Sequence, residues 1–226
     1  MSVEIFPIRL GIDTCYVLRA DGVIAVDAGP PNHLKKFLSG LERVSVEPED
    51  VQLIVLTHGH WDHIGSAADT KGATNTKLVM HERDIEWLEK GLMPHPPGVT
   101  AWGRVLSSIA KVLVPLIKFP PAKVDFALTD EGMSLSEFGI PGRVIHTPGH
   151  TSGSVSVLLD SGEAFVGDLA MDGPPLRLSP GLPVLAEDPG VVVESWKLLL
   201  DSGAQQIFPA HGKPFPADVM RRAISS

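Results

Sequence analysis

The chain has 226 residues, 43% of them hydrophobic, and its 27 acidic and 19 basic residues give a formal net charge of −8. This length is enough to bury a substantial core in one α/β domain. The negative charge, with no dense run of Lys or Arg, is unfavourable for holding phosphate backbones, so we expect no nucleic acid partner.

Taken in chain order, the sequence predicts strands first and then an alternation of helices and strands. Alternating apolar residues and turn signals predict strands over residues 3–10, 14–19 and 23–26, followed by a helix over 32–41. Further strands are predicted at 52–56, 77–80, 143–146, 154–159 and 164–166, and further helices at 81–90, 102–114 and 189–200. This alternation is typical of a layered α/β domain.

Four side chains of metal-ligand type lie directly after the apolar segment 52–56: His58, His60, Asp62 and His63. A strand that enters a loop projects His58 and His60 to the same side, whereas Asp62 and His63 converge only in a tight turn, as in the first turn of a helix. Imidazole and carboxylate without thiolate suit zinc, iron or manganese and leave a position for water. A closed structural zinc site, the alternative, would favour cysteine.

Three more ligand candidates follow downstream, each at the end of an apolar segment: His150, Asp168 and His211. Because strand ends meet at one edge of a sheet, we expect them to join the first four. Seven candidates exceed what one tetrahedral structural ion uses, but they fit two adjacent ions that share a carboxylate. The sequence therefore predicts a two-metal site of hydrolytic type.

Residues 91–123, rich in proline and aliphatic side chains, are the most unusual segment. Apolar residues recur there at helical spacing, which predicts that the helix over 102–114 covers something apolar. A lid over the metals and a helical insertion packed on the outer sheet or in a dimer contact are equal alternatives. The proline-rich residues 171–188 are expected to form another wall of the site.

Asp27, at the end of an apolar strand, is predicted to support a metal-bound histidine. We expect His33, His81 and His146 to serve as hydrogen-bonding residues and not as ligands. The single Cys15 cannot form an internal disulfide, and residues 1–20 lack a leader-like pattern, so we expect a cytoplasmic protein. The most apolar later stretch, 109–119, is too short to cross a bilayer, so no membrane partner is expected.

The order of these motifs resembles that of the metallo-β-lactamase superfamily over nearly the whole chain. The matching runs are Thr57-His58-x-His60-x-Asp62-His63, Pro148-Gly149-His150-Thr151, Gly167-Asp168 and Ala210-His211-Gly212. The resemblance implies a four-layer αββα sandwich in which residues 1–226 form one domain. It also implies that His58, His60 and His150 hold a first metal, that Asp62, His63 and His211 hold a second, and that Asp168 bridges them. Residues 148–154 and 165–168 resemble the glyoxalase II-like branch more than the true β-lactamases.

The leading functional hypothesis is a hydrolase with two divalent metal ions, zinc first, with iron or manganese as alternatives. Metal-activated hydroxide would attack an ester, thioester or lactone carbonyl of a small, partly apolar substrate, and Asp62 would orient it or relay the proton. One rival is a mononuclear-iron oxidoreductase that resembles persulfide dioxygenases. Another is a metal-binding interaction domain without turnover. A homodimer is compatible with every alternative.

Overall fold

In the computed structural model, which describes residues 2–174 and 176–225, twelve strands form two six-stranded sheets. The first sheet has the order β1 Glu4–Arg9, β2 Thr14–Arg19, β3 Val23–Val26, β4 Val51–Val55, β5 Lys77–His81 and β6 Phe126–Leu128. The second has the order β12 Phe215–Pro216, β11 Gln206–Pro209, β10 Glu163–Gly167, β9 Val155–Leu159, β8 Gly142–His146 and β7 Met133–Ser134. The helices are α1 Leu34–Arg43, α2 Trp61–Ile64, α3 Ala67–Thr74, α4 Glu82–Lys90, α5 Ala101–Leu113, α6 Pro189–Asp201 and α7 Asp218–Ile224.

The central strands are apolar on both faces because each sheet is covered on both sides. In β2, Tyr16 and Leu18 enter the core between the sheets, whereas Cys15 and Val17 enter the core on the outer face. This alternation follows from the two-residue period of a strand. It explains why these strands read as continuous apolar runs in the sequence.

Helices cover the two outer faces. Phe37 of α1 and Leu88 of α4 are buried against the outer face of the first sheet. Trp196 of α6 and Met220 of α7 are buried in the cluster on the outer face of the second sheet. The layers are therefore helix, sheet, sheet and helix, and the αββα sandwich expected from the sequence is confirmed.

The parallel strands of both sheets end at one edge of the sandwich. β3, β4, β5 and β6 are parallel in the first sheet, and β10 and β11 are parallel in the second. Two backbone hydrogen bonds join the sheets there: Val155 N–H donates to Thr57 O at 2.8 Å, and Thr14 N–H donates to Ala210 O at 2.9 Å. These bonds fix the segments on either side of the predicted ligands.

Several elements have weak sequence signals and were not predicted: α3, α7, β6, β7, β11 and β12. The very short strands pair at or near the sheet edges, with two or three residues in β6, β7 and β12. Helix α3 contains polar and small residues and shows little amphipathic pattern. Its helical conformation therefore depends on tertiary packing, which overrides local propensity.

Helix α5 lies within one residue of the range predicted for it, but its predicted apolar stripe is mostly exposed. Gly103 and Ser107 are buried, whereas Val105 and Val112 are exposed. The stripe therefore does not form an ordinary core contact. Within the described residues, no helix combines the length and the apolar character needed to cross a bilayer.

Tyr16 offers a test of how the two sheets are held together. Its hydroxyl donates to Pro209 O at 2.8 Å, and its ring contacts Phe165 and Phe208 of the opposite sheet. Because Tyr16→Phe removes this buried donor and leaves the carbonyl unpaired, we expect it to lower the free energy of unfolding by about 1–2 kcal/mol in urea titrations. Tyr16→Leu should cost more, since the ring contacts are also lost. A Tyr16→Phe variant as stable as the parent would show that the hydrogen bond contributes nothing.

Candidate metal centre

The first four predicted ligands lie on the loop after β4 and on α2. His60 has an extended backbone and immediately precedes α2, whose single turn carries Asp62 and His63. The predicted tight turn is therefore present. His58, His60 and His63 are all buried, and Asp62 is partly exposed.

The other three predicted ligands reach the same place from the second sheet. His150 lies between β8 and β9, Asp168 directly follows β10, and His211 lies just beyond β11. Asp168 Oδ1 is 3.3 Å from both His63 Nε2 and His211 Nε2, and Asp168 Oδ2 is 3.6 Å from His150 Nε2. The structure thus brings together all seven side chains that the sequence singled out.

The seven side chains form three overlapping groups, and the ligand atoms within each group lie within 4.8 Å of one another. The groups are His58, His60 and His150; Asp62, His63 and His211; and His58, His63 and Asp168. The first two match the two ligand triads implied by the resemblance. Asp168 lies between them, since it contacts members of both triads.

Four of the histidine rings have their outer nitrogen Nδ1 held by an acceptor of the protein. The Nδ1 atom of His58 contacts Thr57 Oγ1, and that of His63 contacts Asp27 Oδ2. The Nδ1 atom of His150 contacts Leu185 O, and that of His211 contacts Ile12 O. The four distances are 2.8–3.1 Å. The Thr57 hydroxyl itself donates to Asp27, so it accepts from His58. In neutral rings each Nδ1 then carries the proton, and each Nε2 directs a lone pair into the site.

Three ligand atoms that face the inside of the site lack a hydrogen-bond partner within the described residues. His58 Nε2, His63 Nε2 and Asp168 Oδ1 are buried and make no hydrogen bond there, although the last two are only 3.3 Å apart. Buried polar atoms are normally paired, because an unpaired one costs free energy. A cation would satisfy all three, so the donor set fits divalent metal ions.

The histidines of the site fall into two groups, one with lowered and one with raised pKa values. Burial lowers the pKa of His60 to about 3, and burial together with neighbouring histidines holds the pKa of His58 well below its ordinary value. Burial also opposes protonation of His63 and His211. For these two the nearby carboxylates, Asp27 and then Asp168 for His63 and Asp168 for His211, outweigh burial and raise the pKa well above the ordinary value.

Asp27 joins β3 to the site. Its Oδ1 accepts from the backbone N–H of Thr57 at 2.8 Å and its Oδ2 accepts from His63 Nδ1 at 2.8 Å. The residue has φ of 64°, a conformation that side-chain-bearing residues rarely adopt. The supporting position predicted for Asp27 is therefore what the structure shows.

Asp84 also organises the site, although no sequence motif points to it. It is buried in the first turn of α4, where its Oδ2 accepts from Gly59 N–H at 3.0 Å and from the Thr151 hydroxyl at 2.8 Å. It therefore ties the loop of His58 and His60 to the loop of His150. Only the fold brings residue 84 to both loops, so no local pattern could have identified it.

A second histidine cluster lies outside this site. His81 Nε2 is 3.1 Å and His146 Nδ1 is 3.3 Å from Asp130 Oδ1, and the guanidinium of Arg83 contacts the same carboxylate. His81 Nδ1 accepts from Arg83 N–H, so its proton lies on Nε2, directed at Asp130. A ring in this tautomer has no lone pair for a cation, and Arg83 already neutralises the carboxylate. The cluster fits the hydrogen-bonding roles predicted for His81 and His146.

A cleft of about 390 Å³ opens over the site and is lined by five of the seven side chains, namely His60, Asp62, His150, Asp168 and His211. Leu106, Ile109 and Leu113 of α5 form one wall, and Ile117 follows them. Met171, Leu176 and Leu185 of the proline-rich segment form another. Residues 171–188 therefore form a wall of the site as expected, and α5, for which a lid and a packing helix were open alternatives, lines the same largely apolar cleft.

Residues 8–211 match the family model of the metallo-beta-lactamase superfamily. The beta-lactamase-like protein 2 homolog of Drosophila melanogaster is 30% identical over 190 residues, 84% of this chain and 54% of that protein. The hydroxyacylglutathione hydrolase GloC of Haemophilus influenzae is 24% identical over 174 residues, 76% of this chain and 74% of that protein. The chain spans about half the length of the first curated relatives that it matches.

Solved structures show the same fold. A metallo-beta-lactamase family protein from Thermus thermophilus matches with a TM-score of 0.70 and 23% identity, over 99% of this chain and 77% of that chain. An archaeal metallo-beta-lactamase superfamily protein from Sulfolobus tokodaii matches with a TM-score of 0.69 and 22% identity, over 99% of this chain and 85% of that chain. At these identities the likeness concerns the fold.

Asp27→Asn tests whether the outer hydrogen bonds support metal binding. The amide keeps the size of the side chain but loses the charge that holds His63, so we expect metal affinity to fall about 10–100-fold. Zinc titration of chelator-treated protein, with elemental analysis, measures the change. The matched control is Asp130→Asn, which alters a carboxylate that also contacts two histidines but lies outside the site. Equal zinc affinity in the parent and Asp27→Asn would contradict the assignment.

Proposed function

The chain belongs to the metallo-β-lactamase superfamily, and from this we propose that it is a metal-dependent hydrolase acting on a carbonyl group. The bond that it cleaves would be an ester, thioester or lactone of a small, partly apolar substrate. The observation that carries the proposal is the convergence of buried, unpartnered ligand atoms at the floor of the cleft. Residues 1–226 would form one domain, because the ligand candidates come from both sheets. Residues 91–123 would be a helical insertion beside the site.

The two triads are proposed to hold two divalent ions. His58, His60 and His150 would hold one, and Asp62, His63 and His211 the other, with Asp168 shared. Zinc suits imidazole and carboxylate ligands, and iron or manganese are alternatives. When bound, such ions lower the pKa of a coordinated water towards 7 and polarise a carbonyl oxygen. The likeness to a hydroxyacylglutathione hydrolase supports placing the chain near the glyoxalase II-like branch.

The residues of the chain supply orientation and proton transfer. His150 Nδ1 is hydrogen-bonded to Leu185 O, and His211 Nδ1 is hydrogen-bonded to Ile12 O. These bonds fix the orientation of both rings, so that their Nε2 atoms stay directed into the site. Asp62 Oδ2 lies 3.4 Å from His211 Nε2, and the Asp62 side chain lines the cleft. This carboxylate is therefore placed to orient a water or to accept its proton, as a general base must be.

The cleft favours a neutral, partly apolar acyl or ring group. Among its described lining residues there is no Lys or Arg, so away from the proposed metal centre no permanently charged cation would pair with a carboxylate or phosphate of the substrate. Leu106 and Ile117 instead present aliphatic surface. Burial of apolar substrate atoms would then supply most of the binding free energy.

Asp168→Asn tests the shared carboxylate. The amide is a weaker ligand without charge, so we expect lower metal occupancy and a loss of ester hydrolysis in the same preparation. Elemental analysis and a panel of ester, thioester and lactone substrates measure the two effects. Unchanged metal content would refute the assignment of Asp168. An iron-loaded protein that consumes oxygen with a persulfide, and hydrolyses nothing in the panel, would support the oxidoreductase alternative.

The apolar cleft predicts a dependence on acyl length. Each methylene buried contributes about 0.8 kcal/mol, so kcat/KM should rise about threefold to fourfold per added methylene until the cleft is filled. Ile117→Ser should flatten this dependence, because it removes aliphatic surface from the cleft. Leu198→Ser, on the exposed side of α6, is the control and should leave the dependence intact. A kcat/KM independent of acyl length would exclude an acyl-binding role for the cleft.

A further inference from the structure

Helix α5 shows its large apolar residues to solvent and its small residues to the protein. Gly103 and Ser107 are buried and Ala110 is partly buried. The exposed apolar residues, here called the α5 face, are Val105, Ile109, Val112, Leu113 and Leu116, with exposed fractions of 48, 49, 69, 54 and 73%. An amphipathic helix on a globular protein ordinarily buries its large apolar side. A contiguous apolar surface of this kind marks a binding surface.

The charge around the α5 face is opposite to that of the chain as a whole. Residues 91–124 contain 4 of the 19 basic residues and none of the 27 acidic ones, in a chain of net charge −8. The four are Arg104, Lys111, Lys118 and Lys123, and all are exposed. A positive segment with an apolar face is complementary to a surface that is both anionic and apolar.

A second copy of the chain fits this surface poorly. In a two-fold symmetric dimer the same patch meets itself, so the four cations of one copy would approach the four of the other. Such like-charge contacts disfavour association. An anionic phospholipid surface has no such conflict, since cations meet its headgroups and apolar side chains enter its acyl boundary.

We propose that the α5 face docks on an anionic phospholipid surface, with α5 lying in the plane of the interface. The expectation of no membrane partner came from the lack of a spanning segment, and a helix lying in the interface needs none. Ile109 and Leu113 belong to the α5 face and also line the cleft. The docked surface is therefore continuous with the cleft mouth, and an acyl-bearing molecule can pass from lipid to cleft without crossing water.

Vesicle flotation of the full chain tests the docking. The probes are vesicles of phosphatidylcholine alone and of an equal mixture of phosphatidylcholine and phosphatidylglycerol. We expect binding to the mixed vesicles, weakened by salt. Arg104→Gln and Lys111→Gln should each weaken it about fivefold, which corresponds to about 1 kcal/mol per cation. The double variant Val112→Ser/Leu116→Ser should weaken it about tenfold or more, because its side chains no longer enter the acyl boundary.

Leu198→Ser is the control, because it removes an exposed leucine of α6 outside the α5 face and should bind like the parent. Thermal unfolding verifies that every variant is folded. No binding to either vesicle, or equal binding to both, would overturn the proposal. So would light scattering that shows a dimer dissociated by Val112→Ser/Leu116→Ser, since the occupant would then be a second copy. None of these measurements needs substrate turnover, so their outcome is independent of the proposed hydrolase activity.

Discussion

The constraint on which the structure depends is the burial of five imidazoles and the Asp168 carboxylate at one point. Buried polar groups must be paired, and here the chain pairs the outer Nδ1 atoms of four rings but leaves His58 Nε2, His63 Nε2 and Asp168 Oδ1 without a hydrogen bond among the described residues. The pairing also connects the sheets: His211, after β11 of the second sheet, donates to Ile12 O, which precedes β2 of the first. The fold therefore holds four of the rings through Nδ1 and leaves buried ligand atoms facing one another at the centre, an arrangement that a bound cation would stabilise.

The same burial makes the two triads electrostatically different. The triad of His58, His60 and His150 has lowered pKa values, mainly through burial, so its rings are neutral at neutral pH and ready to accept a cation. In the other triad, the charges of Asp27 and Asp168 raise the pKa of His63, and those of Asp168 and Asp62 raise the pKa of His211. The protons on His63 and His211 stabilise the charged carboxylates, and a divalent ion must displace these protons when it binds. Metal binding and proton release are coupled in such a site, so its affinity for metal cations falls as the pH falls.

Much of the architecture could be predicted because the sheets are covered on both faces. The apolar run of β4 and the alternation around β2 are strong signals, and the ligands follow strand ends, so their meeting at one edge could be inferred. The assignment of Asp27 rested on the same reasoning. Asp84 could not be found, because its partners Gly59 and Thr151 are distant in sequence and its own helix turn carries no motif. The short edge strands and α3 were missed because tertiary pairing, and not local pattern, determines them.

In the insertion of residues 91–123, one packing constraint produces both a wall of the cleft and the exposed α5 face. Its first part is bonded to the segment beside His150: Val99 N–H donates to Val184 O and Ala186 N–H donates to Pro97 O. The backbones approach so closely that a β-carbon at Gly103 would collide with Val184 O. Only small residues fit on that side of α5, so its bulky side chains are left for the cleft wall and for the exposed face. The segment that approaches α5 also includes Leu185, whose carbonyl orients His150. The segment against which α5 packs therefore also orients the His150 ring, so the packing of the insertion and the position of this side chain depend on adjacent residues.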